Sequence, residues 1–422
     1  MNYSDMSSKN YILHGAQGDI LVSNGRIADV APFIENREGV VVIDCSSFFI
    51  SPGLVDLHVH FREPGFESKE TIATGSAAAA HGGFTTVCAM PNLDPVPDSP
   101  QTLAVELKAI RDTARIKVLP YASITMGRRG RGEIVDMASL KGDVPGFSDD
   151  GCGVQEEADM LEAMKKAALN DVIIVAHCEV ESLLHGGYIH DGEYCRAHGH
   201  KGICSESEWG QIERDCRLAE ETGCRYHVCH VSTKESVEII RQAKARGVKV
   251  TAETCPHYLL LTDADLQEDG RFKMNPPLRS EADRDALIKG LEDGTIDCIV
   301  TDHAPHTAEQ KGKGLAGSAM GIVGIETSFP LMYTHFVRTG RWTMDFLIEK
   351  MSLAPRRIFN LGGGLKAGEP ADIAVFDLAS EYTIDPDKFL SKGRATPFAG
   401  WKVFGRTVMT IVDGEIRYED KI

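Results

Sequence analysis

The chain has 422 residues, of which 42% are hydrophobic and 25% charged, with a formal net charge of −17. That charge argues against nucleic acid or an anionic membrane as a partner, and it requires local cations wherever an anionic small molecule is to bind. The length suits a barrel-sized domain with an accessory domain.

Met1 to Asn10 lacks the basic start and apolar core of a secretory signal, and no apolar stretch is long enough to span a bilayer. Eleven cysteines, with no CxxC pair, read as thiols of a reducing compartment rather than a disulfide framework. A cytoplasmic protein without membrane or nucleic-acid partners is expected.

From about Tyr11 to Ile43, apolar and polar residues alternate around turns at Gly15, Gly18 and Asn24-Gly25, which predicts antiparallel strands. An apolar run, Phe48 to Val55, then reads as a buried strand that leads into Asp56-Leu57-His58-Val59-His60-Phe61-Arg62. Residues two apart on a strand share a side, so His58 and His60 project together, and two imidazoles can serve one metal ion. Arg62 adds a fixed cation suited to a carboxylate. On their own these could be two satisfied core histidines and a surface arginine.

Further along, helical stretches at Glu67 to Ala80, Glu156 to Leu169, Glu206 to Glu221 and Lys234 to Ala245 separate apolar runs. Three of those runs end in a potential ligand: 172–176 leads to His177, 226–229 to His230 and 298–301 to Asp302. A weaker run, 144–148, leads to Asp149 and Asp150. Repeated donors at strand ends of one polarity are hard to explain as packing. In a parallel (β/α)8 barrel the strand C-termini carry the catalytic groups, so a histidine–carboxylate metal hydrolase is expected. Asp372 to Phe376 and Trp401 to Tyr418, turning at Asp413-Gly414, return to strand patterns.

The stretches DLHVHFREPG (56–65), MPN (90–92), FSDDG (147–151), AHCE (176–179), HVCHVST (227–233), CPHYL (255–259), NPPLR (275–279), TDHAPH (301–306) and GIVGIET (321–327) occur in this order. With them the chain resembles the dihydroorotases of the amidohydrolase superfamily, of the longer bacterial type. The resemblance implies a TIM-type barrel over 51–364. It also implies a small β-sandwich made by both termini, 1–50 and 365–422.

It further implies the reversible, metal-dependent cyclisation of N-carbamoyl-L-aspartate to dihydroorotate in pyrimidine biosynthesis, through a hydroxide shared by two zinc ions. In that family His58, His60 and Asp302 would hold one ion and His177 and His230 the other. Asp150 would bridge them, with Asp149 its structural neighbour. Asp302 would double as general acid and base. The substrate would be held by Arg62, Asn92 and His306 at its carboxylate, with Asn275, His60 and the Met320-Gly321 backbone as further contacts.

Two features depart from the wider pattern. Many superfamily members bridge their metals with a carbamylated lysine, but no lysine lies beside Asp150, and Lys141 is too distant along the chain. Relatives commonly have Phe where Met320 stands, and a flexible apolar Met can cover a ring as well.

Residues 303–321, with Gly312, Gly314, Gly317, Lys311 and Lys313, read either as a mobile cover over the site or as an ordinary surface loop. Cys229 reads as barrel packing and not as a ligand. The stretch holding His185, His190, Cys195, His198, His200 and Cys204 matches no standard zinc spacing and is expected to be a plain loop.

Two other functions stay open: an allantoinase or hydantoinase, against which Arg62 argues because those substrates lack the carboxylate, and a non-catalytic subunit supporting aspartate transcarbamoylase. Homodimers, and association with that transcarbamoylase, occur among proteins of this kind. No surface feature of the sequence selects for or against either.

Overall fold

The computed structural model describes residues 10–420. The signal-sequence reading falls largely on residues 1–9, outside that range. Two separate apolar cores organise the chain.

The smaller core lies between two four-stranded sheets. In the first, Asn10–Gly15, Gly18–Ser23 and Arg26–Ala31 pair antiparallel, as their turns predict. Val41–Cys45 joins the free edge of Asn10–Gly15 in parallel, against the all-antiparallel expectation. The segment 32–40 carries the chain back to the starting end before that strand begins. The second sheet joins Phe49–Pro52 to Ile373–Asp377, Arg406–Val412 and Glu415–Glu419, all antiparallel. Leu13, Val22, Ile27 and Ile43 from one sheet share the core with Ile373, Val375 and Ile411 from the other.

The apolar run 48–55 is therefore not one strand. The chain passes from the sandwich strand Phe49–Pro52 to the barrel strand Leu54–Val59 at Gly53, where a Cβ would lie 2.1 Å from the Thr85 side chain. Only glycine allows that approach.

The barrel is built from eight parallel staves. Leu54–Val59, Phe84–Ala89 and Lys117–Pro120 form one arc. Ile173–Ala176, Arg225–Val228, Val250–Thr254 and Cys298–Ile299 form the other. Phe147 bridges Ala122 and Ile174 as the fourth stave, and a bridge between Val59 and His303 closes the ring. Every residue of the strands at 54–59, 84–89 and 173–176 is buried, as expected for a parallel sheet covered by helices on one side and filled on the other.

Glu157–Asn170, Glu206–Thr222 and Lys234–Ala245 lie within one residue of the predicted helices. The first helix starts at Ile72 instead of Glu67. Thr71 caps it by accepting from the Thr74 amide, and the Thr74 hydroxyl accepts from the Thr71 amide in return. Glu70 just before it is buried and accepts from the Thr74 and Ser391 hydroxyls, which commits 63–70 to a loop. All eleven cysteines are free thiols, and no helix among the described residues is long and apolar enough to cross a membrane.

Candidate metal centre and substrate rim

Six of the sequence-predicted residues converge at the C-terminal mouth of the barrel, and all six are buried: His58, His60, Asp150, His177, His230 and Asp302. His58 Nε2 lies 3.3 Å from Asp150 Oδ1 and 3.6 Å from Asp302 Oδ1. His60 Nε2 lies 3.2 Å from Asp302 Oδ1 and 3.5 Å from Asp150 Oδ2. On the far side, His177 Nδ1 and His230 Nε2 stand 3.5 and 3.6 Å from Asp150 Oδ1, and 2.9 Å from each other. Asp150 is thus the one group facing all four imidazoles.

The donor set fits metal ions. Two donors on one tetrahedral zinc, each at about 2.1 Å, are about 3.4 Å apart, close to most of these separations. His58 Nε2 and Asp150 Oδ1 are buried without any hydrogen-bond partner, which is costly unless something else satisfies them. His58, His60 and Asp302 form one tight triad of potential ligands; His58, Asp150 and His230 form another. Electrostatics point the same way. Burial opposes charge on His177, yet the Asp150 and Glu179 carboxylates push it up to about 10. Burial likewise opposes ionisation of Asp150, but the surrounding His58, His177 and His230 rings hold it well below the usual carboxylate range. The Asp150 side of the cage thus favours positive charge, whereas burial and Arg62 push His60 down to about 4.

Local structure holds these side chains in unusual backbone. Arg62, His230 and Asp302 adopt left-handed φ values of 61°, 32° and 46°. Each costs about 1 kcal/mol or more, a strain that concentrates where a side chain must be aimed.

Asp149, beside Asp150, does different work. It turns away and accepts from the Ile124, Thr125 and Gly130 amides and the Thr125 hydroxyl, tying the fourth stave to the loop after the third. Lys141 is exposed and donates to Asn170, so no lysine enters the centre.

Sequence reasoning missed the groups behind the ligands. Glu253, fully buried, accepts from His58 Nδ1 at 2.7 Å through Oε1 and faces His227 Nε2 at 3.0 Å through Oε2. His227 Nδ1 reaches the Thr251 hydroxyl at 2.7 Å. This fixes His58 as the tautomer whose Nε2 is free for a metal. Burial raises the Glu253 carboxyl's pKa, but the two histidines bring it down to about 2. A glutamate inside an otherwise uncharged strand, Val250–Thr254, was the available signal. Cys229 packs in the barrel core, as expected, but its sulfur also lies within 4.8 Å of ligand atoms of His58 and Glu253. Burial keeps that thiol protonated and so a poor ligand.

The remaining predicted residues form a rim. Arg62 is 9% exposed; burial brings it down to about 10, so it stays charged at neutral pH. His306 Nε2 is 2.8 Å from the Met320 carbonyl, which it can reach only as a donor, and 3.5 Å from Arg62 Nη2. Burial and Arg62 push His306 down to about 3. Asn92 Nδ2 donates to the Asp150 carbonyl at 2.8 Å, beside a second donor that the sequence reading did not single out, Arg128 Nη1 at 2.5 Å. Asn275 Nδ2 donates to Glu179 at 2.6 Å. Gly321 needs its φ of 128°, and a Cβ there would lie 2.6 Å from the Ala304 carbonyl.

The His/Cys-rich stretch is not the plain loop expected: Ile189–His190 and Gly202–Ile203 pair in parallel around the short helix Glu193–His198, where the intervening chain returns to the same end. Its histidines have protein partners, His200 bonding Tyr188 and Glu268 and His190 facing Arg279. None of the candidate metal clusters among the described residues draws on it.

An eight-stave parallel barrel with this cage at its C-terminal mouth defines a metal-dependent hydrolase of the amidohydrolase type. Residues 48–236 match the family model described as dihydro-orotase-like. The chain is 54% identical over 406 residues to the dihydroorotase of Geobacillus kaustophilus (strain HTA426), covering 95% of this chain and 94% of that protein. It is 52% identical to that of Staphylococcus aureus (strain Mu50), covering 96% of both. Among solved structures, the L-hydantoinase (dihydropyrimidinase) of Arthrobacter aurescens superposes with a TM-score of 0.86 at 28% identity, over 97% of this chain and 95% of that one. The chain belongs to the dihydroorotase family.

Proposed function

We infer that the chain is a cytoplasmic dihydroorotase that interconverts N-carbamoyl-L-aspartate and dihydroorotate, with two zinc ions per chain as its resident metals. The observation that carries this is Asp150, ringed by four imidazoles within 3.3–3.6 Å and followed round the mouth by Arg62. In this reading His58, His60 and Asp302 would hold one ion and His177 and His230 the other, with Asp150 as a shared ligand. Zinc held there would supply Lewis acidity, which activates water near neutral pH and polarises an amide carbonyl.

The protein's own groups do the rest. Arg62 and Asn92 orient the substrate's free carboxylate, the guanidinium supplying the charge and the amide the direction, and the neutral His306 joins them by turning its single N–H from the Met320 carbonyl to the carboxylate. In this reading the Met320-Gly321 backbone and Asn275 make further contacts to the substrate. Burial disfavours a charge on Asp302, but the bond from His60 and the nearby His58 keep its carboxylate ionised well below the usual range. An ionised Asp302 can take the proton released as water adds to the ring carbonyl and return it to the departing ring nitrogen.

Loss of dihydroorotate absorbance, with allantoin and dihydrouracil in parallel, tests the reading before chelation, after it, and after zinc return. Chelator-sensitive turnover of dihydroorotate alone is expected. Turnover of the other two instead would replace the substrate, and no turnover with metal bound would replace the reaction.

A further inference from the structure

The loop that carries His306 and Gly321 is tied, by one of its own side chains, both to itself and to the distant segment 273–275. Its anchor is Lys311, in the short helix Ala308–Lys311, whose side chain runs inward and is only 6% exposed. An ammonium has three donors, and here three backbone carbonyls meet it. Lys311 Nζ donates to Lys273 at 2.9 Å, to Ala319 at 2.8 Å and to Gly321 at 2.6 Å. These carbonyls come from two separate segments. One is 273–275, ending in Asn275; the other is 319–321, ending in Gly321. The Gly321 amide also donates to the Lys273 carbonyl at 3.1 Å, so the same oxygen takes a bond from each partner.

Other ties follow the same pattern. Lys273 Nζ donates to the Ala316 carbonyl at 2.9 Å, and the Ser318 hydroxyl donates to the Lys311 carbonyl at 2.8 Å. His306 also reaches the Met320 carbonyl, at 2.8 Å. A surface loop has no need to bury an ammonium, which costs free energy wherever water is removed. Burial and the neighbouring Lys273 push this amine down to about 7, with Asp269 working in the other direction. Removing the cation would leave three converging carbonyl oxygens with fewer donors, and buried acceptors in that state splay apart.

We propose that Lys311 is a positioning residue of the substrate site, clamping 273–275 and 319–321 together so that Asn275, His306 and the Met320-Gly321 backbone form one rim. It touches neither the metal ligands nor the substrate. The clamp rests on the dihydroorotase reading for what the rim binds, but not for its geometry.

The test is Lys311→Met in the full-length, zinc-loaded enzyme, which keeps the stem and removes the donors. KM for dihydroorotate is expected to rise about tenfold, the worth of one or two lost hydrogen bonds. The kcat should stay within about threefold and the zinc content should match wild type. An unchanged KM, or kcat and zinc falling together with it, overturns the proposal.

Hydrogen exchange on the wild-type protein gives a second reading that needs no variant and no substrate. Peptides covering 273–275 and 319–321 are expected to exchange slowly and at a common rate. Fast exchange of 319–321 beside a protected 273–275 overturns the clamp. Wild-type protein that is inert on dihydroorotate but protected in both peptides would sink the functional reading and leave the clamp standing.

Discussion

The histidine–carboxylate cage and the rim proposed to hold the substrate share one barrel mouth, yet they are held by different means. The cage residues stand on staves or directly after them, where parallel pairing fixes the backbone and a buried carboxylate, Glu253, fixes a ring. The rim residues stand on loops, where single hydrogen bonds to carbonyls do the fixing: His306 to Met320, Asn92 to Asp150, Lys311 to three acceptors at once. Rigid strands suit chemistry that tolerates little misplacement, while loops let the same barrel present a different anion site. The two regions should therefore fail differently when damaged: the cage in turnover and metal content, the rim in substrate affinity.

Asp302→Asn tests the cage most severely. The amide keeps an oxygen near His60 but cannot hold the proton, so kcat should fall by about a thousandfold, within the range of a lost general acid–base. KM should change little and the thermal transition should persist. Residual turnover above a tenth of wild type would remove Asp302 from the proton path.

Arg62→Met probes the rim with a smaller expected effect. Truncating one partner of a buried charge pair typically costs 2–5 kcal/mol, so KM should rise by about a hundredfold. Zinc content should be unaffected, because Arg62 bonds none of the cage atoms. Equal losses in zinc and in KM would erase the distinction between the two regions.

Much of this division was legible in the sequence, and the exceptions share a cause. The cage ligands announced themselves because strand ends with one polarity repeat a readable pattern, and a two-residue spacing puts His58 beside His60. Asp149 and Asp150 could be told apart only through the resemblance; the structure separates them physically, one bonded to three amides and the other aimed at the imidazoles. The break at Gly53 was hidden inside a continuous apolar run, since nothing in 48–55 records that Thr85 packs against that glycine. The later start of the first helix depends on Glu70 meeting Ser391, 321 residues away. Lys311 was the hardest to read. Among glycines and another lysine it looks solvated, and only the fold brings the Lys273 carbonyl to it.

Glu253 shows the same blindness inside the cage, and its removal should have the smallest effect of the three. Glu253→Gln preserves shape, and its amide oxygen can still accept from His58 Nδ1, so the ring should stay in place. What is lost is the negative charge that makes Nε2 a better donor and pairs with His227. Loss of such a supporting carboxylate typically weakens metal affinity by about 10–100-fold. Zinc competition with a chelating dye, read at equilibrium without substrate, should show that weakening. At saturating zinc, kcat should recover to within a few-fold of wild type and KM should not move. Wild-type zinc affinity in this variant would mean that His58 is oriented by the strand alone, and the contrast between a cage with its own internal support and a rim held by loop carbonyls would narrow to backbone geometry.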